Sequence, residues 1–284
     1  MCHFNCHIIK GHGEEWLTKK PTTLGHEVAG VITKLGPAVT DYNVGNRVTV
    51  SLIGYPIQER TWSTCIGIGF DGGNAEYVVV PVSRLVRIPE GVSFEQAAVA
   101  TDALATSYHA VMVEADAKPG MVLGVVGHGG LGLSGLAFGV INGAIVYGFD
   151  IVEAKFKEAQ EIGARACFQS LEAAKDVTFD VIVDFAGTGY TTRTALQTVK
   201  EGGNVVVIGL GAENISVPVN DLVLHSKSLL GSVGSSVEDL RYVLQLLRDG
   251  RLKPSLIEFP FEETAETLAS LERGGHRSAV VDEP

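Results

Sequence analysis

The feature that most constrains the fold of this chain is a glycine-rich turn that joins two apolar segments within residues 121–150. The apolar run over 121–126 leads directly into Gly127-His128-Gly129-Gly130-Leu131-Gly132, and a second apolar run, over 144–149, stops at Asp150. The order of strand, glycine turn, helix, strand and acidic residue is typical of a dinucleotide site. The glycines permit the tight turn, let the backbone approach a pyrophosphate at a helix N-terminus, and let helix and strand pack closely.

Asp150 indicates which dinucleotide the turn would bind. It lies 23 residues after Gly127, where a carboxylate can accept a hydrogen bond from the adenosine ribose. The same carboxylate would repel a 2′-phosphate, and no arginine follows it before Arg165. We therefore expect NAD rather than NADP. Asp150 can at the same time serve as the N-cap of a helix over 151–162.

Length and charge restrict the classes of protein to which the chain can belong. Its 284 residues suffice for two domains with full cores. A net charge of −11 argues against nucleic acid or an anionic membrane surface as the main partner. Residues 121–141 carry no charge and are long enough to span a bilayer, but they contain seven glycines and fit a buried strand, turn and helix better.

The cysteines and the first residues indicate a location. The four cysteines, Cys2, Cys6, Cys65 and Cys167, do not form a disulfide framework. Residues 1–20 have no apolar core of a signal peptide. A reducing, cytoplasmic location is therefore expected.

Two different patterns of apolar and turn residues follow one another along the chain. Between residues 24 and 90, short apolar segments separated by turn residues predict a β-barrel or sandwich, with strands over 28–33, 47–52, 75–80 and 84–88. Ser93 is the predicted cap of a helix over 94–113.

After residue 118, strand-like and helix-like segments alternate along the chain, which predicts a parallel sheet covered on both faces. Its predicted strands are 121–126, 144–149, 166–168, 179–184, 203–208 and 227–231, and its helices 131–140, 151–162, 189–200 and 236–249. The tail from 255 predicts a strand, a helix over 261–273 and a strand over 278–282.

Several segments resemble one family in order and over nearly the whole chain. They are Leu24-Gly25-His26-Glu27-Val28-Ala29-Gly30-Val31-Ile32, Val44-Gly45-Asn46-Arg47-Val48, Asp71-Gly72-Gly73-Asn74-Ala75-Glu76-Tyr77-Val78, Thr106-Ser107-Tyr108-His109-Ala110 and Gly275-His276-Arg277-Ser278-Ala279-Val280-Val281. They are similar to the zinc-containing alcohol dehydrogenases of the medium-chain dehydrogenase/reductase family. The resemblance implies an α/β protein with a GroES-like β-barrel catalytic domain, here shortened at its start, and a Rossmann domain with a doubly wound parallel sheet. We expect the first over residues 1–106 and 232–284, the second over 107–231, and the active site in the cleft between them.

The resemblance also implies a catalytic zinc ion. The family's metal ligands fall on Cys2, His26 and Asp102 of this chain, with Glu27 beside them. Much of the family has cysteine where Asp102 stands, but a carboxylate oxygen is also a zinc ligand. Three protein ligands leave one position for substrate or water, and zinc there acts as a Lewis acid on a carbonyl or alkoxide oxygen.

Further positions are implied by the resemblance alone. His3 falls on a pyrophosphate contact, His7 on the residue that meets the nicotinamide ribose and ends a proton relay, and Lys155 near the adenosine ribose. Thr106, Ala186, Ile208 and Gly209 fall around the nicotinamide, and Arg277 on a pyrophosphate contact. His7, Glu27 and Thr106 are the candidate catalytic residues. For His3, His7 and Lys155, a solvated surface position without function is the alternative.

Three departures from the family pattern affect these expectations. The metal cysteine is already residue 2, so the barrel would lack its opening strands and have unpaired edges. Phe4 stands where the family often has a serine or threonine whose hydroxyl takes the substrate's proton. Residues 51–71 contain only Cys65, so we expect no second, structural zinc.

Three functions remain open from the sequence. The leading one is an NAD(H)-dependent oxidoreductase acting on an alcohol or carbonyl substrate. The second is a zinc-independent reductase of an activated C=C or C=N bond, and the third a nucleotide-binding protein with little activity. We expect a small-molecule substrate, no nucleic-acid or membrane partner, and a homodimer or homotetramer.

Overall fold

The computed structural model describes residues 1–53, 61–273 and 279–281. The chain divides into two compact units. The first unit comprises residues 1–105 and 234–284, and the second residues 106–233.

The first unit opens with helix α1 (His3–Ile9), which the sequence pattern did not predict, and contains a small antiparallel sheet. Its strands are β1 (Ala29–Val31), β2 (Arg47–Val50) and β3 (Leu85–Arg87), in the order β1-β2-β3. Val48 and Val50 of the central strand are buried in the core of the unit. Between them Thr49 is also buried, and its single hydroxyl proton is shared between the carbonyl oxygens of Val28 and Ala97, 2.8 and 2.9 Å away, which ties β2 to the segments that carry these two residues.

The predicted strand over 75–80 is wrong, because this segment joins no sheet among the described residues. An extended segment becomes a strand only when another strand takes its main-chain hydrogen bonds. Tyr77 and Val79 are 75% and 91% exposed. Val78 and Val80 line a groove of about 800 Å³ together with Val31 of β1. The strand pattern in this part of the chain therefore has no partner in the described residues.

A helical run follows, as predicted over 94–113. It consists of α2 (Phe94–Val99), a π-helical turn over 100–104, α3 (Ala105–Tyr108) and a second π-helical turn over 109–114. Ser93 forms the predicted cap, since its hydroxyl accepts from the Gln96 amide and the Gln96 side chain accepts from the Ser93 amide. The two π-helical turns were not predicted, because the apolar periodicity does not distinguish them from α-helix.

The second unit is built on a six-stranded parallel sheet, and all six predicted strands are confirmed. They are β4 (Val122–Val126), β5 (Ile145–Phe149), β6 (Ala166–Phe168), β7 (Phe179–Asp184), β8 (Val199–Val207) and β9 (Ser228–Gly231). The order is β6-β5-β4-β7-β8-β9, so the direction of winding reverses between β4 and β7. In such sheets ligands bind at the carboxyl ends of the strands, where the order reverses.

The helices of the second unit are α4 (Gly130–Ile141), α5 (Phe156–Ile162), α6 (Tyr190–Thr198) and the short α7 (Val219–Val223), which was not predicted. The uncharged segment over 121–141 forms β4 and α4, as expected for a buried strand, turn and helix. In the part of the chain that the structure describes, no helix combines the length and apolarity that a bilayer span requires.

The C-terminal part returns to the first unit. It contains α8 (Val237–Arg248), β10 (Ile257–Phe259), α9 (Thr264–Glu272) and β11 (Ala279–Val281), with β10 and β11 parallel. Helix α9 packs against α1, and the Cys6 thiol donates to the Leu268 carbonyl at 3.5 Å. The tail therefore holds the N-terminal helix in place.

Candidate functional site

Three side chains that lie far apart in the sequence meet in the first unit. The Cys2 thiol, a ring nitrogen of His26 and a carboxylate oxygen of Asp102 all lie within 4.8 Å of one another. His26 Nε2 is 3.2 Å from Asp102 Oδ2, and both residues are buried. A thiol, an imidazole and a carboxylate are the donor types that zinc prefers, and three of them leave a fourth tetrahedral position open.

Glycines position His26 by letting two chain segments touch backbone to backbone. The amides of Gly72, Gly73 and Asn74 donate to the carbonyl groups of residues 23, 25 and 24. A Cβ on Gly25 would lie 2.5 Å from the Asn74 nitrogen, and one on Gly72 would overlap the Gly25 carbonyl oxygen. Only glycine fits at such distances, so these residues of the family motif fix the backbone that carries His26 and Glu27.

Asp102 lies in the π-helical turn over 100–104, and such turns are frequent at functional sites. Glu27 connects this turn to the His26 segment, because its Oε1 accepts from the Ala103 amide at 3.3 Å. Its Oε2 is 2.9 Å from the amino group of Met1. Glu27 therefore borders the three-residue cluster without belonging to it.

The electrostatics of the cluster favour a cation. Burial, followed by the negative charges of Asp102 and Glu27, raises the pKa of the Cys2 thiol well above its ordinary value. A metal ligand must be the thiolate, and a dication supplies the positive charge that stabilises it. With a thiolate, a neutral imidazole and a carboxylate, the three ligands carry two negative charges against the two positive charges of zinc. The residues present therefore fit a zinc ion.

An aromatic cluster lies beside the metal ligands. The rings of Phe4, Trp16 and Trp62 are stacked, with centroids 5.3 to 6.2 Å apart. Phe4 also meets the His26 ring edge-on at 6.1 Å. The chain has only two tryptophans, and both belong to this cluster. Phe4, which replaces a hydroxyl residue of the family pattern, thus forms part of an apolar wall next to His26.

His3 and His7 lie one turn apart on α1 and are exposed. Their ring centroids are 5.6 Å apart, and His12 lies 6.2 Å beyond His7. Burial, followed by the positive charges of His3 and His12, lowers the pKa of His7. His7 is therefore neutral at pH 7 and able to accept a proton.

The glycine turn of the second unit has the backbone that the sequence predicts. Gly127 has φ +88°, which disfavours other residues. A Cβ on Gly132 would overlap the carbonyl oxygen of Gly127, whereas one on Gly129 would meet nothing within 4 Å. Gly132 therefore serves the packing of α4 on β4, and Gly129 leaves open space at the N-terminus of α4, where backbone N–H groups attract anions.

Asp150 and Lys155 meet beside this turn. Asp150 Oδ2 accepts from Lys155 Nζ at 2.9 Å and from the His128 amide at 2.7 Å, and Oδ1 accepts from the Val152 amide at 2.9 Å. Burial opposes the ionisation of Asp150, but these hydrogen bonds outweigh it and lower the pKa of the carboxyl. The carboxylate is thus ionised and fixed at the end of β5. The His128 side chain is buried, and a Cβ on Gly148 would lie 2.5 Å from its ring, so only the His128 backbone faces the turn.

The remaining predicted cofactor residues of the second unit lie at the ends of β7 and β8. A Cβ on Gly209, which follows Ile208, would lie 2.6 Å from the Ala186 carbonyl oxygen, so these two strand ends touch. Thr106 is the first residue of the second unit and is buried. Arg277 lies outside the described residues. The sequence pattern did not identify the buried Asp184 at the end of β7, because an aspartate at a strand end has no distinct pattern.

The fold and these two sites define a class: a two-unit α/β protein with a metal-ligand cluster in one unit and a dinucleotide turn in the other. Residues 1–90 match the model of the alcohol dehydrogenase GroES-like domain, and residues 130–249 that of the zinc-binding dehydrogenase. An alcohol dehydrogenase of Geobacillus stearothermophilus is 30% identical over 99% of this chain and 88% of its own length. The chain therefore belongs to the zinc-containing alcohol dehydrogenases of the medium-chain dehydrogenase/reductase family.

Solved structures agree with this family. Acetophenone reductase from Geotrichum candidum, determined in complex with NAD, superposes with a TM-score of 0.88 at 29% identity and covers 100% of this chain and 87% of its own. A thermostable alcohol dehydrogenase from Pyrobaculum aerophilum with bound cobalt and zinc has a TM-score of 0.83 at 26% identity, covering 93% of this chain and 83% of its own.

Proposed function

We propose that this protein is an NAD(H)-dependent alcohol dehydrogenase that transfers a hydride between the nicotinamide and the carbon of an alcohol or carbonyl substrate. The observation that carries the proposal is the cluster of Cys2, His26 and Asp102, in which His26 and Asp102 are buried. When bound, zinc supplies a Lewis acid for the substrate oxygen, and NAD supplies the hydride acceptor or donor. The first unit is the proposed catalytic domain and the second the proposed cofactor domain.

The first unit's residues have separate proposed roles. Cys2, His26 and Asp102 hold the zinc, and their arrangement leaves one position for the substrate oxygen. Glu27 keeps the π-helical turn of Asp102 in register with the His26 segment, through its hydrogen bond from Ala103. We expect one zinc per chain, since residues 51–71 contain a single cysteine, the fully buried Cys65, and one thiol does not complete a four-ligand site.

The proton route differs from that of relatives with a hydroxyl residue at position 4. Phe4 neither donates nor accepts a proton. His7, whose pKa is lowered by burial and by the neighbouring imidazoles, is neutral at pH 7 and is the proposed acceptor of the substrate's proton, through water. Thr106 is a proposed contributor to the same reaction from the second unit.

In the second unit, the backbone of residues 127–132 is the proposed seat of the pyrophosphate, and Asp150 the proposed partner of the adenosine ribose. The ionised Asp150 supports NAD over NADP, because it repels a 2′-phosphate. Lys155 holds this carboxylate in place. The proposed contacts at the nicotinamide are Ala186, Ile208 and Gly209, and those at the pyrophosphate are His3 and Arg277.

A second candidate reaction is the reduction of an activated C=C or C=N bond. Phe4 favours it, because an apolar ring beside His26 removes the hydroxyl that alcohol chemistry uses. In that reaction zinc is not required for turnover.

Assembly and location complete the proposal. Strand β9 is an edge of the six-stranded sheet, and its unpaired main-chain groups can pair with the same strand of a second copy, which supports the proposal of a homodimer or homotetramer. A cytoplasmic location is supported by four free cysteines.

The experiment measures zinc content, NADH binding by fluorescence, and NAD⁺ reduction with a panel of primary and secondary alcohols, before and after a chelator. We expect alcohol-dependent NADH formation that is lost with zinc and restored by it, while NADH binding persists. NADH oxidation by enones or imines that survives complete loss of zinc, without NAD⁺ reduction by any of the alcohols, would reject the alcohol dehydrogenase reaction in favour of the second candidate. NADH binding without turnover of alcohols, carbonyls or enones would indicate a binding protein.

A further inference from the structure

The end of β7 carries a buried carboxylate, Asp184, that the proposed function does not use. Its side chain has no exposed surface. Oδ1 accepts from the amides of Ala186 at 3.0 Å and Gly187 at 2.9 Å. Oδ2 accepts from the hydroxyls of Thr191 and Thr192, each at 2.8 Å. Burying a carboxylate costs free energy unless it is hydrogen-bonded. Here each of the two oxygens of Asp184 accepts two hydrogen bonds.

The loop after β7 is folded around this carboxylate. Gly187 has φ +58° and Gly189 φ +77°, and these two left-handed residues turn the chain back toward Asp184. The hydroxyl donors come from the first turn of α6, so the carboxylate connects the loop to the helix that follows. Backbone N–H groups bonded to a carboxylate are held more firmly than those bonded to a neutral acceptor.

The same loop touches two neighbouring strand ends. A Cβ on Gly187 would overlap the Gly209 carbonyl oxygen, and one on Gly127 would lie 3.2 Å from the Ala186 nitrogen. The amide of Gly209 also donates to the main-chain carbonyl of Asp184 at 3.2 Å. The loop that this carboxylate holds therefore packs directly against the backbone at the carboxyl ends of β4 and β8.

The sheet order indicates which half of a dinucleotide these strand ends serve. The winding reverses between β4 and β7, and a dinucleotide binds across that point. Asp150, the proposed ribose partner, ends β5 on one side of it. The ends of β7 and β8 lie on the other side, which is the side of the nicotinamide half.

We infer that Asp184 is a positioning residue for the nicotinamide half of the cofactor. It does not touch the cofactor. It holds the amides of Ala186 and Gly187, and through them Gly209, in the shape that receives the nicotinamide end. The inference rests on the proposed binding of NAD. It goes beyond that proposal because it assigns Asp184 an effect on the binding of the nicotinamide half and none on the binding of the adenosine half.

The test compares NAD⁺ with AMP, which carries only the adenosine half, by calorimetric titration of the zinc-loaded protein. Asp184→Asn keeps the volume but replaces one acceptor oxygen by a donor that faces other donors. We expect its Kd for NAD⁺ to rise by about tenfold or more, since buried donors lose a charged acceptor. We expect its Kd for AMP to stay within about twofold, because the adenosine side is distant.

The matched control is Asp180→Asn, the same substitution on the same strand at its other end. Asp180 accepts from the Val122 amide at 2.7 Å and pairs with Lys200. In Asp180→Asn we expect the ratio of the Kd for NAD⁺ to the Kd for AMP to match that of the wild type. Hydrogen exchange of the Ala186 and Gly187 amides gives a readout without cofactor, and these amides should exchange faster in Asp184→Asn only.

A second pair of variants covers the case in which Asp184→Asn does not fold. Thr192→Val removes one donor at constant shape, and Thr192→Ser retains it. Thr192→Val should weaken the binding of NAD⁺ but not that of AMP. Thr192→Ser should bind NAD⁺ as the wild type does. Equal weakening of NAD⁺ and AMP, or no change in either, overturns the inference. If the wild type binds NAD⁺ but oxidises no alcohol, the proposed function fails while the inference stands. If the wild type binds no NAD⁺, both fail.

Discussion

The two units build their candidate sites in opposite ways. In the second unit, the cofactor turn is a continuous segment, and Asp150 and Lys155 follow it closely in the chain. In the first unit, Cys2, His26 and Asp102 come from three separate segments that only the fold brings together. The difference reflects what each site recognises. Phosphates bind to backbone N–H groups, whose geometry a local glycine pattern can set, whereas a metal requires side chains that converge from several directions.

The largest expected effect separates the two sites. His26→Ala removes a proposed metal ligand from the first unit, so we expect zinc content to fall and alcohol oxidation to drop by about a thousandfold or more, because the Lewis acid contributes several kcal/mol. NADH binding to the second unit should persist. Metal analysis and NADH fluorescence measure both quantities.

The control is His225→Ala, which removes an exposed histidine that pairs with Glu201. It should retain both zinc and activity. If His26→Ala lost NADH binding together with zinc, the two sites would depend on each other. That result would contradict the description of the metal site and the cofactor turn as separately built.

The next effect tests the glycine turn within itself. Gly132→Ala introduces a methyl group that overlaps the Gly127 carbonyl oxygen, so we expect a fall in stability of about 1–3 kcal/mol and loss of NADH binding. Gly129→Ala meets open space, so it should leave the melting temperature unchanged and weaken only NADH binding. Thermal unfolding and NADH fluorescence distinguish the two. Equal melting temperatures for both variants would refute the assignment of Gly132 to packing.

A smaller effect is expected at the aromatic cluster. Phe4→Ser places a hydroxyl beside His26 and removes a stacked ring, so we expect alcohol oxidation to rise several-fold while stability falls by about 1 kcal/mol. Tryptophan emission should change as well, because both tryptophans lie in this cluster. Phe4→Leu provides the control, since it removes the ring without adding a hydroxyl. If Phe4→Leu raises turnover as much as Phe4→Ser, the hydroxyl is not the cause.

The smallest effect concerns pH. The pKa of His7 is lowered in the folded protein, so the unfolded chain binds more protons between that pKa and about 6.5. Stability should therefore decline as the pH falls from about 6.5 through the folded pKa of His7. His7→Gln removes this contribution. Its melting temperature should fall less than that of the wild type between about pH 8 and pH 5.5, and an equal fall would contradict the lowered pKa.

Much of the second unit could be predicted from sequence because its signals are local. Apolar runs between turn residues identified all six strands. The turn residues and Asp150 follow a fixed spacing, since a single strand, turn and helix joins them. Asp184 was missed because its importance lies in four hydrogen bonds to the following loop and helix, and an aspartate at a strand end has no distinct pattern.

The first unit was harder to predict for a physical reason. The strand pattern over 75–80 is genuine, but a strand also needs a pairing partner, and this segment has none among the described residues. The π-helical turn that carries Asp102 has the same apolar periodicity as an α-helix. Glu27 was predicted to lie near the metal ligands, yet its partners, Ala103 and Met1, are set by packing alone.

The sequence by itself determined the family, the parallel sheet and the cofactor turn, because each depends on residues that are close along the chain. Only the tertiary structure decided that a thiol, an imidazole and a carboxylate lie together beside an aromatic wall, and that the Asp184 carboxylate holds the loop after β7 through four hydrogen bonds. These features depend on distances between segments remote in sequence, and such distances are fixed only when the core has packed.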